Sequence, residues 1–321
     1  MSKVLVIKLG ALGDMVLAFA AMKRIREAHP DAHIDLLTTP PFRALAEACP
    51  YVDAVEDDGR PRGLKAQARL IKRLRAAKYD RVYDLQTSNR SSALFYGLLP
   101  NPPEWSGIAR GASHPHRNPE RDAMHTLERQ AEQLKDVGIW PDAPTEPGTA
   151  PPPDLSWLAP GLAGADVSGF ALPARYAVLI PGGSAHRPEK RWPVERWAEL
   201  AQGLAAAGLT PVVLGGPQEG ALAKAIAAAE PTTVDLTGRT DFVQLAAVGA
   251  GAALAVGNDT GPTHLTAAAG APTLALFSHA SDPALCAPRG RAARSIRREP
   301  LSDLSASEVL EAARVTLGSP C

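Results

Sequence analysis

The chain has little cysteine and no excess of charge of either sign. Three cysteines occur among 321 residues, widely spaced and odd in number, which excludes a disulfide framework and the short spacings of zinc or redox sites. Lysine and arginine total 34, as do aspartate and glutamate, so no overall field favours nucleic acid or an anionic membrane. We therefore expect a cytoplasmic protein whose anionic partners are bound by a local basic cluster.

The chain also lacks long apolar runs. No run reaches membrane-spanning length, and the first residues lead into a strand without the pattern of a signal peptide. Apolar residues instead alternate between strand-like and helical spacing. Strands are predicted over residues 4–9, 34–37, 81–85, 176–180, 211–214, 253–256 and 273–277, and helices over 15–29, 64–77, 125–137, 194–207, 219–229, 241–248, 263–269 and 306–317. This alternation predicts parallel sheets.

A proline-rich stretch with little periodicity covers residues 140–161. Such composition is typical of an extended connection. It predicts two doubly wound α/β domains, 1–160 with the linker from about residue 140 and 161–321. In such sheets ligands bind beyond the carboxyl ends of the strands, so the loops there are the candidate sites.

The loop after the first strand contains Gly10, Gly13 and Asp14. The glycines permit a tight turn against a ligand, and Asp14 falls at the start of the following helix. Its spacing matches neither a dinucleotide fingerprint nor a P-loop. Catalysis and simple helix capping explain Asp14 equally well at this stage.

The loop over residues 181–193 combines small residues with charge. Gly183 and Ser184 supply exposed donors, and Lys190 supplies charge for phosphate oxygens. This pattern favours a diphosphate site over a solvated basic loop, because a solvated loop needs no glycine pair.

Two further strand ends carry polar residues. Asp259, Thr260 and Gly261 precede a helix that contains His264, so unpaired amides there could hold a phosphate. Turn chemistry and a core histidine are the structural alternatives. Glu219 follows another strand, where it could accept hydrogen bonds from a ribose or simply complement the helix dipole.

Taken together, these loops resemble glycosyltransferase family nine, the ADP-heptose:lipopolysaccharide heptosyltransferases. The matching segments are residues 8–14, 84–86 and 190–193, followed by 259–261 with His264. They occur in the family's order along nearly the whole chain. Each segment alone is a weak signal, whereas the ordered set is a strong one.

The resemblance implies a GT-B type α/β fold, in which two Rossmann-like doubly wound parallel-sheet domains face a central cleft. It implies an inverting, metal-independent glycosyltransferase without a cofactor, with Asp14 as general base. The donor, a nucleotide sugar expected to be ADP-heptose, would be bound in the second domain. The implied donor residues are Gly183, Ser184, Lys190, Glu219, Asp259, Thr260, Gly261 and His264.

The implied acceptor is an anionic glycolipid or oligosaccharide of the lipopolysaccharide core type, which allows peripheral contact with the inner membrane surface. The first domain would hold it. The acceptor candidates are Gly13, Arg60, Lys65, Arg69, Gln86 and Arg90, with His125 and Arg129 as further ones. A surface helix can also be basic without binding anything.

Some alternatives stay open at the level of sequence. Nothing in the second half identifies the base of the nucleotide, so a GT-B enzyme using another nucleotide sugar, a sugar-nucleotide epimerase and a non-catalytic nucleotide-binding protein remain rivals. Pro262 also departs from the larger apolar residue of familiar family members. His114 and His116 lack further ligands at suitable spacing, so they are interpreted as surface residues rather than a metal site.

Overall fold

The computed structural model describes residues 1–158, 165–184 and 186–318. It divides into two compact units, Met1–Pro151 and Pro152–Cys321. The domain boundary expected between residues 160 and 161, the loop residue Ala185 and the third cysteine lie outside the described residues.

The first unit is a parallel sheet with helices between its strands. Its strands are β1 (Lys3–Ile7), β2 (His33–Leu37), β3 (Ala54–Glu56), β4 (Arg81–Asp84), β5 (Glu104–Gly107) and β6 (His114–Pro115). Its helices are α1 (Leu12–Ala28), α2 (Arg43–Glu47), α3 (Leu64–Ala77), α4 (Asn89–Leu98) and α5 (Thr126–Asp136). The strand order is β3-β2-β1-β4-β5-β6.

The described part of the second unit repeats this plan. Its strands are β7 (Tyr176–Ile180), β8 (Thr210–Val213), β9 (Val234–Asp235), β10 (Leu254–Asn258), β11 (Thr273–Phe277) and β12 (Ala293–Arg297). Its helices are α6 (Val194–Ala206), α7 (Gly220–Ala229), α8 (Phe242–Ala250), α9 (Gly261–Ala268), α10 (Pro283–Cys286) and α11 (Ala306–Leu317). The order β12-β11-β10-β7-β8-β9 is the same doubly wound order read from the other edge.

Strand order reverses at one place in each sheet. In the first sheet β1 pairs in parallel with both β2 and β4, and in the second β7 pairs in parallel with both β8 and β10. The loops after β1 and β4 therefore diverge from each other, as do those after β7 and β10. These switch points are where doubly wound sheets bind their ligands.

Burial explains why these segments form central strands. Residues Tyr176–Ile180 are buried along their whole length, as expected for a parallel strand covered by helices on both faces. In the second core Trp192 and Trp197 pack edge to face, with ring centroids 5.1 Å apart. In the first, Trp105 on β5 packs in the same way on Phe95 of α4.

The α/β class and the parallel sheets are confirmed. Helices α3 and α11 and strands β7 and β11 occupy the predicted residues. The prediction missed the helices α2, α4 and α10 and the strands β3, β5, β6, β9 and β12. These strands are short or carry exposed polar residues. Residues 140–151 contain no helix or strand, and Glu128 of α5 fixes part of this stretch by accepting hydrogen bonds from Gly148 and Ala150.

One interpretation made from sequence was wrong. His116 is not a surface residue, since its side chain is fully buried and its Nε2 lies 2.7 Å from Glu132 Oε2 on α5. Asn118 donates to the same carboxylate. The residues around His116 are polar and give no local sign of burial. The side chain is covered by α5, which comes later in the chain, only in the folded unit. His116 thus pairs with a carboxylate that joins its loop to α5.

Candidate active site

The predicted site residues follow the strands at the two switch points. Asp14 follows β1 and Gln86 follows β4 in the first unit, whereas Lys190 follows β7 and Asp259 follows β10 in the second. The carboxyl ends of adjacent parallel strands share one edge of a sheet. Each unit therefore presents two of the predicted loops side by side.

In the first unit, Gln86 links the two loops at the switch point. Its Oε1 accepts a hydrogen bond from the backbone N–H of Leu9 at 2.8 Å. Lys8 adds a second link, since its buried Nζ donates to the carbonyl of Leu85 at 3.2 Å. Gln86 was predicted to bind the acceptor, and this contact gives its side chain a structural role in holding the loop before Asp14.

Asp14 lies in the first turn of α1, where its Oδ2 accepts a hydrogen bond from the backbone N–H of Ala11 at 3.1 Å. The capping role considered from sequence is therefore present. Gly13 occupies the same turn. Gly10 has a φ of 104°, and a Cβ there would lie 2.5 Å from a ring carbon of Phe42. The turn that delivers Asp14 thus requires glycine at this position.

Several charges surround this loop. Burial lowers the pKa of Lys8, and Arg129 lowers it further, while Asp14 and Asp84 oppose that shift. Burial raises the pKa of Asp84 to about 6, even though the backbone N–H groups of Thr87 and Gln86 stabilise its charged form. Burial and the charge of Arg121 lower the pKa of Arg129, while Asp122 and Asp14 oppose this shift. Sequence reasoning included Lys8 only within the matching segment 8–14, but its ammonium is buried and interacts with the charge of the predicted base, Asp14.

The remaining acceptor candidates fall into two groups. Arg60, Lys65 and Arg69 are exposed on α3 and the loop before it, and Arg90 is exposed in the first turn of α4. His125 instead is buried beside Glu128 at the start of α5, with 3.2 Å between Nδ1 and Oε2. The first group is accessible to a ligand, whereas His125 is packed within the unit.

In the second unit, Lys190, Asp259 and Ser281 meet at three adjacent strand ends. Lys190 Nζ and Ser281 Oγ each lie 2.5 Å from Oδ2 of Asp259, and Nε2 of His264 lies 3.9 Å from Oδ1. Burial alone would raise the pKa of Asp259, but these neighbours hold it at about 2. The structure therefore brings three of the predicted donor residues together around an ionised carboxylate.

Sequence reasoning missed Ser281 and the role of Asn258. The amide of Asn258 donates to the carbonyls of Pro181 and Gly182, and its Oδ1 accepts from the backbone N–H of Trp192. It thereby joins both ends of the loop over 181–193. Ser281 follows β11, the strand next to β10, so inspection of every strand end would have identified it.

The start of α9 presents unpaired donors. Within residues 165–184 and 186–318, the backbone N–H groups of Thr260 and Gly261 donate to no protein acceptor, and Pro262 has no N–H. Such groups at a helix N-terminus favour an anion. Ser184, the residue after Gly183, is exposed. The carbonyl of Gly183 accepts a hydrogen bond from Arg191 Nη2 at 2.7 Å. This arrangement can take a phosphate between amides and cations.

Glu219 is buried, and its Oε2 accepts from the backbone N–H of Gly216 at 2.8 Å. A Cβ on Gly182 would lie 2.7 Å from Glu219 Cγ, and one on Gly215 would lie 2.9 Å from Glu219 Cβ. The two glycines thus make room for this side chain between the ends of β7 and β8.

The described residues contain neither a candidate metal site nor a candidate membrane span. Among them, no three His, Cys, Asp or Glu side chains are placed to hold a metal ion. None of the helices in the same residues is long and apolar enough to cross a membrane.

Comparison with known proteins identifies relatives over most of the chain. Residues 67–312 match the family model described as glycosyltransferase family 9 (heptosyltransferase). The chain is 29% identical to lipopolysaccharide heptosyltransferase 2 of Salmonella typhimurium over 309 residues, which cover 92% of this chain and 88% of that protein.

Solved structures show the same similarity. E. coli ADP-heptose lps heptosyltransferase II aligns with a TM-score of 0.79 and 25% identity, covering 98% of each chain. E. coli heptosyltransferase WaaC, solved with ADP, aligns with a TM-score of 0.76 and 25% identity, covering 98% of this chain and 99% of the other. At this coverage both alignments include residues of both units.

Proposed function

Because this chain belongs to glycosyltransferase family 9 (heptosyltransferase), we propose that it transfers heptose from ADP-heptose to an anionic acceptor of the lipopolysaccharide core type. The ion pair of Lys190 and Asp259 beside the open amides of α9 carries this proposal. It combines a cation and helix N–H groups, the usual elements of a diphosphate site. The solved relative with ADP supports adenine as the base.

In the proposed reaction an acceptor hydroxyl attacks the anomeric carbon from the face opposite the diphosphate. The new C–O bond forms as the bond to the leaving diphosphate breaks, and the hydroxyl proton passes to the carboxylate of Asp14. Attack from that face inverts the anomeric configuration. A positioned carboxylate contributes through orientation and proton acceptance.

The charge that develops on the departing diphosphate needs stabilisation. We assign this to Lys190 and the amides of Thr260 and Gly261, without a metal. Ser184 and Gly183 would add donors, His264 would support Asp259, and Glu219 would accept from the ribose hydroxyls. The second unit is thus the proposed donor domain.

The first unit is the proposed acceptor domain. Its exposed cations Arg60, Lys65, Arg69 and Arg90 are suited to phosphate or carboxylate groups of the acceptor. The proposed acceptor is an anionic glycolipid or oligosaccharide, and a glycolipid acceptor lies in a membrane, so we also propose peripheral contact with the inner membrane surface from the cytoplasmic side.

The proposal can be tested by calorimetric titration of ADP, UDP, GDP and NAD with chelator present, using the wild type and Lys190→Ala. We expect selective binding of ADP, weakened about tenfold or more in the variant because a charged hydrogen bond is lost. Lys224→Ala is the matched control, since Lys224 is exposed on α7 of the same unit.

Other outcomes of this titration would change the assignment. Preference for UDP or GDP would indicate a different sugar donor. Absence of nucleotide binding by the folded wild type would favour a non-catalytic role. Binding of ADP justifies a transfer assay with ADP-heptose.

A further inference from the structure

Lys8 is a buried cation directly after β1, with 4% of its surface accessible. The pairing of β1 with β4 sets Ile7 beside Asp84, so the end of β4 lies next to Lys8. Its Nζ donates to the carbonyl of Leu85 at 3.2 Å, and this is the one hydrogen bond that the ammonium forms within the described residues. Two of its three donors therefore have no acceptor among those residues.

Two carboxylates act on this ammonium through their charge, although neither forms a direct ion pair with it in the part of the chain that the structure describes. Asp84 is fully buried, and its Oδ1 accepts hydrogen bonds from the backbone N–H groups of Gln86 and Thr87. Asp14 is only partly buried, in the first turn of α1. Lys8 is thus a neighbour of one buried carboxylate and one accessible carboxylate.

Packing does not explain a charge at this place. The preceding residues Val4–Ile7 are apolar and buried, and a buried ammonium with incomplete hydrogen bonding costs free energy that an apolar side chain would avoid. Arg129 of α5 is the other cation near Asp14, but its Nη2 donates to Thr126 Oγ1 at 3.3 Å and its Nη1 lies 3.9 Å from Asp122. Perturbed buried charges of this kind are characteristic of functional sites.

We propose that Lys8 is a positioning residue that supports Asp14 as the base of the proposed reaction. Its ammonium, anchored on the carbonyl of Leu85, offsets the negative charge of Asp14 when a diphosphate donor and an anionic acceptor are brought to it. These anions by themselves favour protonation of a carboxylate, and a protonated carboxylate cannot act as the base. The inference rests on the proposed function and assigns to Lys8 a charge effect on Asp14, without contact with either substrate.

The first experiment measures the initial rate of transfer from ADP-heptose to a lipopolysaccharide-core acceptor as a function of pH. Lys8→Gln can still donate to the carbonyl of Leu85 but has lost the charge. The pH at which its rate is half-maximal should rise by about one unit, because an opposite charge near the base is gone, while its rate on the alkaline plateau should stay close to that of the wild type. Lys8→Arg retains the charge and should move the profile back.

The second experiment follows Lys8 itself by NMR with isotope-labelled lysine Cε, in the absence of donor and acceptor. Burial lowers the pKa of Lys8, and the charge of Asp14 opposes this shift. Asp14→Asn should therefore move the titration of Lys8 to lower pH, with the resonance assigned by its loss in Lys8→Gln. Asp122→Asn is the matched control, because it removes an exposed carboxylate of the same unit and should leave this titration unchanged.

Several outcomes would overturn the proposal. One is a Lys8 titration that is the same in Asp14→Asn and the wild type, and this measurement decides the question even where Lys8→Gln fails to fold. Another is a folded Lys8→Gln with the wild-type pH profile. A rate lowered by the same factor at every pH would indicate a purely structural role. Lys135→Gln removes an exposed lysine charge from α5 of the same unit and should keep the wild-type profile.

The result is separable from that for the proposed function. A wild type that transfers no heptose would refute the proposed reaction, whatever the titration of Lys8 shows. A wild type that transfers heptose with a pH profile insensitive to Lys8→Gln would retain the reaction and exclude the role of Lys8.

Discussion

Lys190 and Asp259 form a partly buried ion pair between the strand ends of β7 and β10, with 2.5 Å between Nζ and Oδ2. The lysine proposed to bind the donor diphosphate is thus already held by a carboxylate. A carboxylate and a diphosphate repel each other, so the side chain of Asp259 is suited to orient Lys190 rather than to touch phosphate. The unpaired backbone N–H groups of Thr260 and Gly261, which follow Asp259, can bind the anion together with the oriented lysine.

The pair should make stability depend on pH. The pKa of Asp259 is held at about 2, below the ordinary value for an aspartate of about 3.9. A lowered carboxyl pKa stabilises the folded state above the unfolded pKa, and this contribution disappears as the pH falls from about 4 to about 2. Asp259→Asn should therefore reduce the free energy of unfolding by about 2 kcal/mol at neutral pH.

Urea unfolding at a series of pH values measures this difference. It should shrink steadily below about pH 4. Asp303→Asn is the control, since Asp303 is exposed and its replacement should change stability by less than about 0.5 kcal/mol. A difference for Asp259→Asn that stays constant down to pH 2 would contradict the assignment.

Ser281 should affect the proposed donor site through Asp259. Its Oγ donates to the same Oδ2 that Lys190 contacts. Ser281→Ala should weaken ADP binding about threefold to tenfold, because loss of this bond lets the carboxylate and the lysine move. Ser281→Thr should restore most of the affinity, since threonine retains the hydroxyl.

A double-mutant cycle in the same calorimetric assay tests whether Ser281 acts through Lys190. Once Lys190 is alanine, Ser281→Ala should have little further effect on ADP binding. Fully additive losses would show instead that the hydroxyl acts independently of the lysine.

Asp14 combines a cap with the proposed role of base, and two substitutions separate them. The side-chain amide introduced by Asp14→Asn can still accept the hydrogen bond from Ala11, so stability should change by less than about 0.5 kcal/mol. The transfer rate should fall by about 10²–10⁴, because an amide cannot take the proton. Asp14→Ala should lose both the cap and the rate.

The measurements are urea unfolding and the initial rate of transfer at saturating donor. A variant Asp14→Asn that transfers sugar at close to the wild-type rate would exclude Asp14 as the base. A variant that unfolds as readily as Asp14→Ala would show that the charge, rather than the hydrogen bond, stabilises α1.

Gly182 should be intolerant of a side chain, unlike its neighbour. A Cβ at Gly182 would lie 2.7 Å from Glu219 Cγ, whereas one at Gly183 would lie 3.5 Å from its nearest neighbour, Arg191 Cγ. Gly182→Ala should lower the free energy of unfolding by about 1–3 kcal/mol and weaken ADP binding by displacing Glu219. Gly183→Ala is the matched control and should fold like the wild type. Equal stability of the two variants would contradict this account.

The sequence predicted the architecture well for a physical reason. Strands buried on both faces, such as β7 and β11, appear as short apolar runs, and α11 begins after the capping residue Ser305 and ends before Gly318. Outer strands such as β3 and β12 carry no such run, because their side chains are only partly buried or are exposed. Their detection requires the neighbouring strand.

The sequence by itself determined the α/β class, the parallel sheets and the family, since these depend on local periodicity and on the order of motifs along the chain. Only the tertiary structure decided which side chains meet. Lys190 lies 69 residues before Asp259 and Ser281 lies 22 residues after it, yet both contact its carboxylate. Such contacts are set by the pairing order of strands, which no local pattern encodes. The burial of His116 beneath α5 was hidden from sequence for the same reason.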